Sequence, residues 1–163
     1  MAKLDILVYP DERLRQVSRP VKIVDSGIAE FISDLEETLN SYLGCVGIAA
    51  PQVGRFERII IVDVSSRPRH PNHGRLTLIN PVIKFNEGNV VGREGCLSVP
   101  DYTGKVARSE NIEVVAQDRD GSQATYHMVG YEARAVQHEI DHLEGKLFLD
   151  KLVGKRNELK KKI

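Results

Sequence analysis

The sequence lacks an apolar stretch as long as a membrane-spanning helix requires, and it lacks net charge. Its 23 basic and 23 acidic side chains cancel, so neither anionic membranes nor DNA attract the whole chain. We therefore expect no membrane association and no sequence-specific DNA binding. Residues 1–10 mix Lys3 and Asp5 into apolar positions, unlike an export signal. These features predict a soluble, cytoplasmic protein.

Cysteine is also scarce, with Cys45 and Cys96 as its two occurrences. In a reducing compartment cysteine more often serves metal binding or catalysis than disulfide formation, so we expect both thiols to be reduced. The sequence has no internal repeat, and its 163 residues, 41% of them hydrophobic, are enough to bury one core. A single domain over residues 1–163 is therefore predicted.

Two patterns of hydrophobicity divide the chain into helices and strands. Apolar residues at three- and four-residue steps predict an N-terminal amphipathic helix over 25–43. A turn signal at 118–121 predicts a hairpin, and a second helix is predicted over 131–143, with a third from Asp150 onward. Strands are predicted at 58–64, 76–79, 111–117 and 124–128. Because the elements are grouped rather than alternating, we predict an α+β fold.

The second predicted helix contains an HExxH motif, from His138 to His142. Residues four apart lie on one helix face, so both imidazoles can bind one metal ion, with Glu139 beside it. Hydrolytic metal sites usually have three protein ligands and an open fourth position. A third ligand must therefore come from elsewhere in the chain.

Several residues are candidates for this third ligand. Zinc endoproteases take it from downstream, but Phe148 stands where the longer motif has its histidine, and Glu158 is the remaining candidate. Upstream, Cys96 follows Gly95, which permits close approach of the backbone, and a thiolate there would complete the set. Cys96 could equally be a small buried apolar residue. The residues alone leave these alternatives open.

Three segments together resemble the signature of the peptide deformylase family. They are GIAAPQ at 47–52, EGCLS at 94–98 and QHEIDHL at 137–143, and segments 9–15 and 79–81 extend the similarity over nearly the whole chain. The resemblance implies antiparallel β-sheets packed around a central HExxH-bearing helix, with N-terminal and C-terminal helices. It also implies a single catalytic domain that releases formate from the N-formylmethionine of nascent polypeptides.

The same resemblance implies a metal centre. Cys96, His138 and His142 would bind one divalent metal ion per chain, and Glu139 would transfer the protons. Fe²⁺ is the expected ion, with Zn²⁺, Ni²⁺ or Co²⁺ possible in preparations. A non-catalytic metal-binding module would keep the three ligands, but a structural site has no need of Glu139 beside them.

The remaining site residues also follow from the resemblance. Gln52 and the Leu97 N–H would stabilise the formyl oxygen, although Gln52 by itself suggests a loop-capping amide. Glu94 and Arg108 would brace the Cys96 loop, or form an ordinary surface ion pair. The substrate would contact Val46, Gly47, Gly95 and Ala135, of which Gly47 could otherwise be a turn residue and Ala135 ordinary core.

Three further features qualify the resemblance. Cys45 occupies a position where the commonest family motif has glycine, and Thr103 lies where some members have an arginine that holds substrate. The basic C-terminal segment, about 150–163, is predicted to be a helix or tail. It would either dock near the ribosomal exit tunnel, as the resemblance suggests, or be a solvated end of the chain.

Overall fold

The computed structural model describes residues 2–67, 69–154 and 160–161. Within these ranges the helices are α1 (Ser26–Asn40) and α2 (Gly130–Leu143), with three short 3-10 helices at Glu12–Arg15, Ala50–Val53 and Phe148–Lys151. The strands are β1 (Gly47–Ala49), β2 (Ile59–Asp63), β3 (Arg75–Glu87), β4 (Val90–Cys96), β5 (Val99–Arg108), β6 (Asn111–Gln117), β7 (Gln123–Val129) and β8 (Lys160–Lys161). Neither α-helix in the described part of the chain has the length and apolar content of a membrane span.

The predicted N-terminal helix is confirmed as α1. It begins after Asp25, whose carboxylate accepts a hydrogen bond of 2.9 Å from the Ile28 N–H and so caps the helix. It ends at Asn40, three residues before the predicted end, because Ser41 to Gly44 already form turns. Its apolar face is buried against the sheet and includes Ile28, Phe31, Ile32, Leu35 and Leu39.

Two antiparallel sheets confirm the predicted α+β architecture. The larger has the strand order β1-β2-β3-β6-β7, which leaves β1 at an edge, and the smaller has the order β4-β5-β8. The predicted hairpin is the pair β6 and β7, which pair antiparallel from Asn111↔Val129 to Gln117↔Gln123. Gly121 supplies the positive φ of 83° that its turn requires.

The five-stranded sheet lies between α1 and α2. Alternate residues of β2 point to opposite faces, so Ile59 and Ile61 pack with α1 while Ile60 and Val62 pack with α2. Both faces of β2 are therefore buried. The HExxH helix contacts this core through Ala133, Val136 and Leu143, which leaves another face of α2 for the smaller sheet.

Parts of the sequence-based prediction are wrong. Strand β3 runs to Glu87 rather than 79, because a register shift between Ile79 and Val82 carries the pairing past Pro81. Strands β1, β4 and β5 were not predicted. The prediction of a third helix from Asp150 onward is also wrong in the described residues. Leu152 instead forms a bridge with Val106, and Lys160–Lys161 pairs with β5. Residues 155–159 and 162–163 of that segment lie outside the described residues.

Candidate active site

Three side chains of the types that bind metals converge between β4 and α2. The Sγ of Cys96 and ring nitrogens of His138 and His142 lie within 4.8 Å of one another, and all three side chains are buried. Cys96 ends β4, and its Sγ is 3.3 Å from Nε2 of His142. The histidines lie one turn apart on α2, with ring centroids separated by 5.3 Å. The structure thus brings together the ligand set that the sequence resemblance implied.

The orientation of these groups fits a single metal ion. Nδ1 of His138 is 2.8 Å from the Glu94 carboxylate, which leaves its Nε2 available as a ligand. Burial lowers the pKa of His142 well below its ordinary value and so favours the neutral ring that binds metals. One thiolate and two imidazoles leave a fourth coordination position for water or substrate. The donor set is therefore that of a catalytic rather than a closed structural site.

The pKa of His138 responds to its neighbours. Burial disfavours its charged form, yet hydrogen bonds to Cys96 and Glu94 and the charge of Glu139 raise the pKa of His138 well above its ordinary value. A cation at the three ligands would act in the opposite direction, because it would repel the ring proton. Metal binding at this site should therefore release a proton.

Glu94 is the centre of a buried hydrogen-bonded network. Arg108 donates two hydrogen bonds to its carboxylate, of 2.9 and 2.8 Å, and Arg134 donates one of 2.7 Å. Burial would raise the pKa of Glu94, but the hydrogen bonds from Arg108 and His138 hold it well below its usual range. The predicted pairing of Glu94 with Arg108 is confirmed, and it is a buried pair rather than a surface one.

Sequence reasoning missed two members of this network. Arg134 also donates to the carbonyls of Val106 and Val90, and Asp141 accepts hydrogen bonds from Arg108 and Lys151. Both residues lie on α2, one four residues before His138 and the other three after it. Side chains at that spacing lie near His138 on the helix surface. The spacing is therefore the sequence signal from which these two residues could have been predicted.

Removing the carboxylate of Glu94 should destabilise the fold strongly. In Glu94→Ala, the charges of Arg108 and Arg134 would stay buried without their partner, so we expect a loss of about 3 kcal/mol in the free energy of unfolding. Urea denaturation would measure it. Glu87→Ala, an exposed glutamate near a strand end, is the control and should change the value by less than about 0.5 kcal/mol. A loss below about 1 kcal/mol would contradict the role of Glu94.

Glu139 lies beside the candidate ligands in a space that β1 closes. Burial raises its pKa to about 7, while the charge of His138 acts against this rise. Its Oε1 has no hydrogen-bond partner among the described residues, and its Oε2 would be 2.6 Å from a Cβ added to Gly47. Position 47 must therefore lack a side chain for Glu139 to keep its place.

Gly47→Ala should accordingly displace the Glu139 carboxylate. We expect kcat to fall by about 10- to 100-fold, because the family resemblance implies that Glu139 transfers protons and a misplacement of about 1 Å in such a group costs about that much. The rate of the reaction that the family resemblance implies would be measured for both variants, and circular dichroism reports whether the fold is kept. Gly27→Ala is the matched control, since its new Cβ would meet nothing closer than 3.4 Å. Equal rates for the two variants would refute the steric argument.

Gln52 has two roles that the sequence could not separate. Its Oε1 accepts a hydrogen bond of 2.9 Å from the Ala49 N–H, as a loop-capping amide does. Its Nε2 donates to the Ser98 hydroxyl at 3.0 Å and lies 3.5 Å from the Cys96 sulfur. The same side chain therefore fixes its loop and directs an amide N–H₂ toward the candidate ligands.

A cavity of about 300 Å³ opens beside these groups. The residues expected to contact substrate all line it, and so do Gln52, Leu97, Cys96, His138 and Glu139. Cys45 and Thr103 also belong to the lining, as do three residues that sequence reasoning did not single out, Arg67, Arg93 and Tyr131. Arg108 lies behind this wall, in the Glu94 network. The predicted substrate residues are thus adjacent in space to the candidate metal ligands.

A buried cysteine and the two histidines of an HExxH helix, with a carboxylate and an open cavity beside them, define the arrangement of a mononuclear metal hydrolase. The family model for polypeptide deformylase matches residues 3–158. The chain belongs to this family. Its members are metal-dependent hydrolases that remove the N-formyl group from nascent peptides.

Individual relatives show how far the similarity extends. The chain is 41% identical over 162 residues to the peptide deformylase of Thermodesulfovibrio yellowstonii, covering 99% of this chain and 96% of the relative. It is 47% identical over 163 residues to that of Alkalilimnicola ehrlichii, covering 99% and 86%. The crystal structure of the Ehrlichia chaffeensis peptide deformylase in complex with actinonin has a TM-score of 0.89 at 37% identity, covering 97% of this chain and 92% of that one.

Proposed function

We propose that this chain hydrolyses the formyl group from the N-formylmethionine of nascent polypeptides and releases formate, with its own residues in the following roles. The observation that carries the proposal is the convergence of Cys96, His138 and His142 beside the Glu139 carboxylate at a cavity. Because its substrate arises where proteins are synthesised, we place the chain in the cytoplasm.

Cys96, His138 and His142 would hold one divalent metal ion. When bound, such an ion lowers the pKa of a water molecule and polarises the formyl carbonyl. We propose Fe²⁺ as the working ion. The thiolate ligand and the Irving–Williams order favour Zn²⁺ over Fe²⁺, so Zn²⁺, Ni²⁺ or Co²⁺ would replace it according to supply. Metal analysis of protein prepared without oxygen tests this assignment.

Glu139 would take a proton from the attacking water and deliver it to the departing amine. A proton carrier works best when its pKa lies near the working pH; burial raises the pKa of Glu139 to about 7, and a bound cation would act against this rise as it does at His138. Its Oε1 is not engaged by another described residue, so the carboxylate can receive the proton without breaking a hydrogen bond. The residue is therefore suited to both transfers.

Gln52 and the Leu97 N–H would stabilise the charge that develops on the formyl oxygen. The Gln52 amide has two N–H donors, of which one bonds to the Ser98 hydroxyl. The other is directed at the Cys96 Sγ, 3.5 Å from Nε2, and would turn to the formyl oxygen when substrate binds. Because the Gln52 Oε1 bonds to the Ala49 N–H, the amide is held before the substrate arrives, which is what makes such donors effective.

The backbone beside the cavity supports binding of an extended peptide. The Val46 carbonyl accepts a hydrogen bond from the Asp63 N–H. Because hydrogen bonding alternates along an antiparallel strand, the N–H and C=O of the next residue, Gly47, point away from β2. Since β1 is an edge strand, a substrate can pair with Gly47, with Val46 and Gly95 beside it. Ala135 belongs to the core and also lines the cavity, where it would contact the methionine side chain.

Formate release from formyl-Met-Ala-Ser in the absence of oxygen tests the proposed function. We expect turnover by protein that contains one metal ion per chain. The unformylated peptide serves as a control, and its cleavage would instead indicate an endoprotease. Metal-loaded protein that releases no formate would contradict the proposal and leave a non-catalytic metal-binding module.

We further propose that the basic C-terminal segment docks on the ribosome near the exit tunnel. The segment contains Lys151, whose Nζ also bonds to Asp141, and then Lys155, Arg156 and Lys160 to Lys162. Positive side chains this close in sequence would bind ribosomal RNA in a salt-dependent way.

Removing these charges should weaken ribosome binding at low salt by about tenfold or more and spare the turnover of short peptides. Cosedimentation with ribosomes would compare a truncation after Val153 with glutamine substitutions at Lys155, Arg156 and Lys160 to Lys162, which keep the chain length. Lys22→Gln/Lys84→Gln is the control on other surfaces. Unchanged affinity in the substituted protein would exclude docking through these charges.

A further inference from the structure

Two arginines at the mouth of the cavity have no part in the reaction described above. Arg67 lies between β2 and β3, and Arg93 lies on β4. The Arg67 Cζ is 4.5 Å from the centre of the Tyr131 ring, and Nη1 of Arg93 donates to the Thr103 hydroxyl at 3.3 Å. Both side chains are exposed. Their guanidinium groups are therefore accessible to a ligand that enters the cavity.

The charges around this mouth do not cancel. Among the described lining residues the carboxylates are Glu94 and Glu139. Glu94 is held by Arg108, Arg134 and His138, and Glu139 is buried at the candidate metal ligands. Neither forms an ion pair with Arg67 or Arg93 within the part of the chain that the structure describes. The mouth therefore presents positive charge outward.

His70 and His73, which follow Arg67 in the chain, contact the first turn of α2. The His73 backbone N–H donates to the buried Glu132 carboxylate at 2.8 Å, and the His73 ring contacts the same carboxylate at 2.6 Å. The His70 ring packs on Tyr131 with a centroid distance of 5.3 Å. The His70 N–H in turn donates to the Arg67 carbonyl at 3.0 Å, so Arg67 is held near the same turn of α2, which reduces the entropy lost when it binds.

We propose that this mouth selects formylated peptides with an acidic side chain at the second or third residue. The inference rests on the proposed function, which places the formylmethionine beside Gly47 and Glu139. An extended chain advances about 3.3 Å per residue, so the next two residues pass outward through the mouth. Guanidinium groups bind carboxylates strongly. Where such ion pairs are exposed at a rim, they affect the rate at which substrate is encountered and the KM.

The test compares formyl-Met-Xaa-Ser-amide and formyl-Met-Ala-Xaa-amide peptides in which Xaa is Asp, Asn or Lys. At low salt we expect kcat/KM for Asp to exceed that for Asn by about 1.5- to 5-fold at one of the two positions, and to exceed that for Lys by more. Raising the ionic strength to about 0.5 M should reduce the ratio, because these charges are exposed to solvent.

The variant Arg67→Glu/Arg93→Glu should reverse the order, so that Lys becomes the best of the three side chains. Lys84→Glu makes a charge change of the same kind on β3, away from the lining, and should leave the Asp:Asn ratio unchanged. A ratio near one at both positions, or a preference that survives the double substitution, would overturn the inference while leaving the proposed function intact. No turnover of any formyl peptide would overturn both.

Discussion

Glu139→Ala should lower kcat by between about a hundred- and ten-thousand-fold and leave the bound metal in place. The carboxylate is buried next to the candidate ligands without being one of them, and burial raises its pKa to about 7. The three heavy atoms nearest to a Cβ built on Gly47 all belong to Glu139, at 2.6, 3.0 and 3.1 Å. Rate and metal content, measured on the same sample, separate loss of proton transfer from loss of metal.

The fold should tolerate this change, because Oε1 of Glu139 has no hydrogen-bond partner whose loss would be costly. Glu139→Gln keeps the shape of the side chain and should be equally slow. Glu30→Ala, an exposed position on α1, provides the matched control and should keep the wild-type rate. A Glu139→Ala protein with substantial formate release would remove this residue from the proposed mechanism.

His142→Ala should lose both the metal and the activity. With two of the three ligands remaining, we expect less than about a tenth of an ion per chain after gel filtration, since even loss of an outer-shell partner weakens metal binding by about 10- to 100-fold. Formate release should fall with the metal. In thermal melts, added metal should stabilise the wild-type protein and have little effect on the variant, because ligand binding to the folded state raises its stability.

His127→Ala is the control for this experiment, because His127 is an exposed histidine on β7. It should bind metal and release formate as the unmodified protein does. If His142→Ala retained one ion per chain, the ion would be held elsewhere and the proposed ligand set would be wrong.

Elements with a local signal were predicted well. Helix α1 follows from its apolar spacing and the Asp25 cap, and the HExxH helix follows from the ligand spacing itself. Strand β4 was missed because Gly92, Arg93, Glu94 and Gly95 give it no regular apolar alternation. Its pairing with β5 and the contacts that bury Glu94 and Cys96 are long-range, and a local pattern does not contain them.

The residues of the candidate site also differ in whether a local sequence pattern predicts them. The helical pair of histidines could be predicted from their spacing, whereas the third candidate ligand, Cys96, lies 46 residues from His142 and required the family resemblance. The cation-lined mouth could not be predicted, because Arg67 reaches it through the contacts of His70 and His73 with α2. Side chains from β4, α2 and the β2–β3 connection meet there only in the folded chain.

The position of Cys96 at the end of β4 affects how susceptible the protein would be to proteolysis in the cell. An ion shared by Cys96 and the two α2 histidines would join the small sheet to the central helix, as a removable cross-link does. Loss of the ion or oxidation of the thiol would then do more than stop catalysis, because one of the links between these layers would be lost and they would open more often to proteases. The cellular abundance of the enzyme would follow the supply of its metal.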